Sequence, residues 1–201
     1  MTAPMISRTR FLVAMLVAIG GLFALTICAR ANTRVVDTAR STITVHVSMS
    51  GVLQGVADDV VVRAPLLEGS LDENAATPHV QIVIDAQRLR VVGSGLSAAD
   101  REQVQTRMLG PEVLDVEHFR WISFHSIESR RVDARRWLVQ GELELHGCIR
   151  PMTVTVVDEG GRYKGSATVK QSDHGIAAVR IAGGTAHVKD EVRIDFDIIM
   201  R

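Results

Sequence analysis

Residues 192–198 read VRIDFDI, and this stretch decides the fold class because apolar and charged residues alternate along it. Val192, Ile194, Phe196 and Ile198 occupy every second position, with arginine or aspartate between them. In an extended strand successive side chains point to opposite faces, so one face here is apolar and the other is solvated. The stretch therefore predicts a half-buried β-strand.

The same period of two recurs along the chain and predicts further strands. It is clear at residues 42–49, 80–84 and 137–145, and weaker at about 58–63, 121–128, 152–158 and 162–171. Turn residues separate these runs, and EGG at 159–161 between two runs is typical of a hairpin. Because full closure removes unpaired sheet edges, we expect an all-β fold, an antiparallel eight-stranded barrel, with a sandwich as the other arrangement of such strands.

One segment departs from the alternation and predicts a short helical insertion. Residues 97–109 read SAADREQVQTRML. Ser97 is a good N-cap, and Asp100 three positions later adds an acid at the position of a capping box. Pro111 cannot continue the helix, so we expect it to end before this residue.

The first 31 residues have the pattern of an export signal. Arg8 and Arg10 precede eighteen uncharged residues at 11–28, and the small-residue pattern ARA follows at 29–31. These parts define a secretory signal peptide with cleavage expected after Ala31, which would make the protein periplasmic or secreted. Because the run reaches the lower limit of a membrane span, an uncleaved anchor in the inner membrane is the alternative.

Residues 32–201 then form one domain with 20 basic and 23 acidic residues. Without a basic excess, the composition does not favour a nucleic-acid-binding protein. Aromatic residues make up only 4% of the chain, which disfavours an interface rich in Trp and Tyr. After cleavage Cys148 is the remaining cysteine, so no intramolecular disulfide is expected.

Seven segments, taken in order, carry a resemblance to a known family. They are residues 41–45 (STITV), 83–89 (VIDAQRL), 108–116 (MLGPEVLDV), 119–126 (FRWISFHS), 141–151 (GELELHGCIRP), 171–176 (QSDHGI) and 190–194 (DEVRI). On these segments the chain from about 35 to 200 resembles the YceI family, whose fold is a lipocalin-like antiparallel barrel. The resemblance implies a periplasmic or secreted carrier that binds a polyisoprenoid or similar amphiphilic lipid inside the barrel.

Given this resemblance, the inward faces of the strands are predicted to line a ligand-binding lumen. The predicted lumen residues are Ile43, Val45, Val47, Val80, Ile82, Ile84, Leu143, Leu145, Val192, Ile194, Phe196 and Ile198. An eight-stranded barrel is wide enough to hold one small ligand. Periodicity alone leaves open the alternative that the same side chains fill a solid core.

Three arginines are candidates for contact with the head group of such a lipid. They are Arg88, Arg90 and Arg150, and the reason is that the planar guanidinium fork matches the geometry of a phosphate. Simple solvation at the surface is the alternative for all three.

No catalytic residue, metal site or cofactor is predicted. The sequence contains neither G-x-S-x-G nor H-E-x-x-H, and the contiguous Ser172, Asp173 and His174 are expected to form a polar turn. Two further classes stay open, a secreted enzyme or redox accessory with polar residues at the barrel mouth, and a solid-core interaction protein. No nucleic-acid partner is expected, membrane contact is expected only through an uncleaved N-terminal segment, and a homodimer stays open.

Overall fold

The part of the chain that the structure describes comprises five ranges. In the computed structural model these are residues 33–51, 60–73, 78–92, 95–181 and 186–201. The expected signal or anchor segment at 1–31 lies outside them, and so do the first two positions of the strand expected at about 58–63. Within these ranges no helix is both long enough and apolar enough to cross a membrane.

Short strands make up most of the described chain, with one α-helix among them. The strands are β1 (Thr33–Val35), β2 (Thr42–Val47), β3 (Met49–Gly51), β4 (Val60–Arg63), β5 (Leu66–Asp72), β6 (His79–Asp85), β7 (Arg90–Val91), β8 (Trp121–Arg131), β9 (Arg136–Leu145), β10 (Cys148–Asp158), β11 (Arg162–Lys170), β12 (Arg180–Ile181), β13 (Ala186–Val188) and β14 (Glu191–Ile199), and the helix α1 is Ala98–Leu109. The prediction of an all-β fold with one short helical insertion is confirmed.

One long antiparallel sheet dominates the fold. Among the described residues its strand order is β1-β5-β6-β8-β9-β10-β11-β14-β2-β4-β7, and a small sheet β12-β13-β3 lies apart from it. β8 pairs with β9 and β9 pairs with β10, so consecutive strands are neighbours there. β14 is an exception because it pairs with β2 from the start of the chain as well as with β11.

The long sheet curls until the end of β1 meets the end of β14. Val36 forms a β-bridge with Met200. On either side of this bridge the Asp37 amide donates to the Ile199 carbonyl at 2.7 Å, and the Arg201 amide donates to the Val35 carbonyl at 2.9 Å. Because β1 also pairs with β5, these bonds close the sheet at this end.

Eight passes of the chain form the wall, although the long sheet contains eleven strands among the described residues. A turn at residues 37–41 divides the first pass into β1 and β2, and an interruption at Ala64 and Pro65 divides the second into β4 and β5. The eleventh strand is the short β7, which extends the sheet beyond β4. The expected eight strands therefore match the passes, and the two divided passes together with β7 account for the larger strand count.

The helix α1 begins and ends where the sequence predicts. The Ser97 hydroxyl oxygen accepts from the Asp100 amide at 3.1 Å and donates to the Asp100 carboxylate at 2.6 Å, which closes the cap. The Gln105 side chain fixes the helix to the sheet, since its oxygen accepts from the Val91 amide at 2.8 Å and its nitrogen donates to the Leu89 carbonyl at 2.9 Å. Other side chains of the helix pack on the core cluster under the sheet.

Candidate ligand-binding site

The curled sheet encloses a cavity of about 710 Å³. This volume falls within the range of about 300–1,000 Å³ that is usual for small-molecule sites. The wall is mostly Val, Ile, Leu and Met, because every second residue of the surrounding strands points inward. The same alternation that builds the strands thus gives the interior its apolar surface, and the interior is not filled by a solid core.

All twelve residues that the sequence predicts for the lumen lie on the lining of this cavity. They are Ile43, Val45, Val47, Val80, Ile82, Ile84, Leu143, Leu145, Val192, Ile194, Phe196 and Ile198. The structure therefore brings together side chains from four strands, β2, β6, β9 and β14. That these side chains contact a bound ligand stays a prediction.

The lining also contains residues that the sequence analysis does not single out. Val154 and Phe124 come from strands that were expected but whose inward faces were not assigned. Their signal is the same alternation, since Ile122 precedes Phe124 by two positions and Val156 follows Val154 by two. Others, such as Met108 in α1, lie in the connections, where no period-two pattern marks them.

Two glycines make room for the phenylalanine rings of the lining. A Cβ placed on Gly165 would lie 2.5 Å from the Phe196 ring, and one placed on Gly141 would lie 2.7 Å from the Phe124 ring. Each ring therefore lies against bare backbone of an adjacent strand, closer than any side chain would allow. This packing holds two large side chains against the wall.

The polar groups of the lining lie at its two ends. Glu73 and Asp158 lie at the end that carries the turn between β10 and β11, where Glu73 pairs with Arg34 at 3.2 Å. Gln103 and Arg107 come from α1 at the opposite end. Among the described lining residues Arg107 is the only lysine or arginine. The cavity thus carries carboxylates at one end and a guanidinium at the other.

The structure does not bring the three expected head-group arginines to the cavity. Arg88, Arg90 and Arg150 are exposed and are not among the described lining residues. Arg90 donates to the Gln87 and Leu89 carbonyls at 2.9 and 2.7 Å, so its guanidinium folds back on its own turn. Arg150 lies near the start of β10, where its Nε donates to the Asp173 carbonyl at 2.8 Å.

Two buried serines on β8 differ in how their hydroxyl groups are satisfied. Ser126 and Ser129 are each 7% exposed. The Ser126 hydroxyl oxygen accepts from the Val80 amide at 2.7 Å. In the described part of the chain the Ser129 hydroxyl finds no hydrogen-bond partner, although Ser129 contributes to the lining.

An ion pair between the buried carboxylate of Asp85 and the exposed side chain of Arg120 lies next to the turn that follows β6. The carboxylate of Asp85 accepts from Arg120 Nη2 at 2.8 Å and from the Gln87 amide at 3.1 Å. The hydrogen bond from the Arg120 guanidinium lowers the pKa of Asp85 below its usual value. The pair joins the end of β6 to the start of β8, so it supports the wall.

Within the described ranges no group of three or more His, Cys, Asp or Glu side chains is arranged to hold a metal ion. Cys148 is a free thiol and is partly exposed.

An antiparallel sheet curled around an apolar cavity defines the class of barrel-type ligand-binding proteins. The chain belongs to the family of the YceI-like domain, whose model matches residues 35–200.

Two solved structures are similar to this one. BcnA of Burkholderia cenocepacia has a TM-score of 0.63 at 19% identity, over 82% of this chain and 98% of BcnA. The YceI protein of Campylobacter jejuni has a TM-score of 0.49 at 10% identity, over 66% of this chain and 80% of that protein. Comparison with curated proteins finds no match to this sequence.

Proposed function

We propose that the protein is an exported carrier that holds an amphiphile with a long apolar tail, such as a polyisoprenoid, in the cavity. It acts by sequestration or transfer and performs no covalent chemistry. The observation that supports this function is the 710 Å³ cavity with a mostly aliphatic wall. Such a wall offers a hydrocarbon tail apolar burial without directional bonds.

The energetics of tail binding favour this kind of ligand. Burying one methylene group contributes about 0.8 kcal/mol, so burial of a dozen carbons contributes about 10 kcal/mol without any polar contact. Loss of translational and rotational freedom opposes binding by about 4–15 kcal/mol, which a short tail does not offset. The cavity therefore favours long tails over short ones.

Export is the second part of the proposal. Three features of the sequence support delivery of residues 32–201 to the periplasm or the exterior. They are the basic residues Arg8 and Arg10, the apolar run at 11–28 and the small residues at 29–31. Retention of the run as an inner-membrane anchor would place the same domain at the membrane surface.

Mass spectrometry of protein purified natively from the exported fraction tests both parts. We expect an intact mass that begins at Asn32 and an organic extract that contains a stoichiometric isoprenoid or similar amphiphile. A retained N-terminus would contradict a cleaved signal peptide and support the inner-membrane anchor. Protein free of lipid, from cells that contain such lipids, would contradict the carrier function and favour the enzyme or interaction-protein alternatives.

A lumen-filling variant tests the assignment of the cavity. Replacement of Val45, Ile82 and Ile194 by phenylalanine places three rings inside the barrel, and we expect lipid uptake to be lost. Fluorescence of an environment-sensitive lipid probe measures uptake, and circular dichroism checks the fold. Undiminished uptake by the folded triple variant would refute the lumen assignment.

The matched control uses the neighbouring outward positions on the same three strands. Gln81 and Arg193 are exposed, and Thr44 alternates with inward residues of β2. Replacement of these three residues by phenylalanine adds the same rings to the outside, so we expect uptake to be retained.

A further inference from the structure

A second pocket of about 490 Å³ lies beside the helix end of the cavity. It is bounded by the turn that follows α1 and by the segment 175–180. The residues that matter for its chemistry are Arg107, Glu112, His146 and Arg180. The pocket is therefore charged, whereas the cavity beside it is apolar.

The two spaces share part of their walls. Four residues line both the cavity and the second pocket: Arg107, Val113, Ile176 and Val179. A single molecule can therefore lie with its tail in the cavity and its polar end in the pocket, passing over the three shared aliphatic side chains. The guanidinium of Arg107 lies on this shared wall.

Positive charge in the pocket exceeds negative charge. Arg107 Nε donates to Glu112 at 2.6 Å, and Arg107 Nη1 donates to the Arg180 carbonyl at 3.1 Å. These two bonds use two of the five N–H donors of a guanidinium. Within the described ranges Arg180 forms no ion pair, so one cation of the pocket has no compensating carboxylate.

We propose that this pocket binds the anionic head group, a carboxylate or a phosphate, of the amphiphile whose tail occupies the cavity; this inference rests on the proposed carrier function. The Arg107 and Arg180 guanidinium groups supply charge-assisted hydrogen bonds to the anionic oxygens. The Arg107–Glu112 pair is exposed, and pairs of this kind contribute little to stability, so an anion can compete for Arg107.

A substitution at Glu112 distinguishes anion binding in the pocket from damage to the fold. Its carboxylate occupies Arg107 and repels an incoming anion at close range. Glu112→Gln should therefore strengthen binding of an anionic amphiphile, whereas damage to the fold would weaken it. Removal of both arginines should have the opposite effect.

The test compares three probes with the same sixteen-carbon tail, hexadecanoic acid, hexadecyl phosphate and hexadecanol. Affinities are measured by displacement of a fluorescent lipid from the purified protein. Charge-assisted hydrogen bonds predict that the anionic probes bind at least about tenfold more tightly than the alcohol. The double variant R107Q/R180Q should lose this preference and keep its affinity for hexadecanol.

A charge-matched control separates the pocket from the overall charge of the protein. Arg63 on β4 and Arg101 on α1 are exposed and lie on neither lining among the described residues. R63Q/R101Q removes the same two charges, so the preference for anionic probes should persist. E112Q should increase the preference severalfold. The acid and the phosphate together identify which anionic group the pocket favours.

The failure of this inference is distinguishable from the failure of the carrier function. Equal affinity of the wild-type protein for all three probes would overturn the head-group site and leave the carrier function standing. An equal loss for all three probes in R107Q/R180Q would show that the arginines only support the fold, which also overturns the site. If no probe binds the wild-type protein, the carrier function itself fails.

Discussion

The length of the tail that the cavity accepts follows from its volume. If each methylene-sized group occupies about 30 Å³, as a water molecule does in the liquid, 710 Å³ holds about 24 such groups. Each buried group contributes between about 0.3 and 0.8 kcal/mol, which is about a twofold to fourfold gain in affinity per carbon. Affinity should therefore rise steadily with tail length and level off near about 24 carbons, or about five isoprene units.

A series of saturated alcohols and polyprenols in one displacement assay measures this dependence. The lumen-filling variant, with phenylalanine at 45, 82 and 194, should level off at a shorter tail in the same assay if it binds at all. Affinity that does not change with tail length would refute binding in the cavity. A gain that continues undiminished well beyond 24 carbons would show that the tail is not confined by this volume.

Three predictions concern stability and are tested by urea unfolding. Ser126→Ala should lower the unfolding free energy by about 1–3 kcal/mol because it leaves the part-buried Val80 amide without its hydrogen-bond partner. Ser129→Ala should not lower the unfolding free energy, and equal losses in the two variants would contradict this assignment. Asp85→Asn should destabilise the protein at pH 7, because the carboxylate paired with Arg120 has a lowered pKa and so stabilises the fold above its unfolded pKa. This stabilisation is lost as the pH falls through the folded pKa, so the difference from wild type should narrow below about pH 4, and a constant difference would refute the ion-pair account. Gly165→Ala should cost about 1–3 kcal/mol because the new methyl group meets both a backbone carbonyl and an aromatic ring, and an unchanged midpoint would contradict that contact.

Alternation accounts for most of what the sequence predicts correctly. The stretch 192–198 specifies both that a strand forms and which of its faces turns inward, because a one-residue shift would expose its apolar side chains. The helix at 97–109 is equally local, since Ser97 and Asp100 form its cap within four residues. These features need no knowledge of the rest of the chain.

Long-range features could not be predicted in the same way. Whether inward side chains fill a core or surround a cavity depends on how tightly the sheet curls, which no single strand encodes. The meeting of Arg107 with Arg180 depends on how two long connections fold over one end of the barrel. Arg88, Arg90 and Arg150 have a side chain suited to a phosphate, but residue type alone does not determine where a side chain lies in the fold.

The closure of the sheet has a consequence for the timing of folding. Asp37 accepts from the guanidinium of Arg201, a residue 164 positions away, and the adjacent backbone bonds join the first described strand to the last. Contacts of such large sequence separation form slowly, because the chain must lose much of its freedom before they are made. The ring cannot close before synthesis has passed residues 199–201. Until then unpaired strand edges remain available to neighbouring chains, so dilution and chaperone protection should raise the yield of refolded protein.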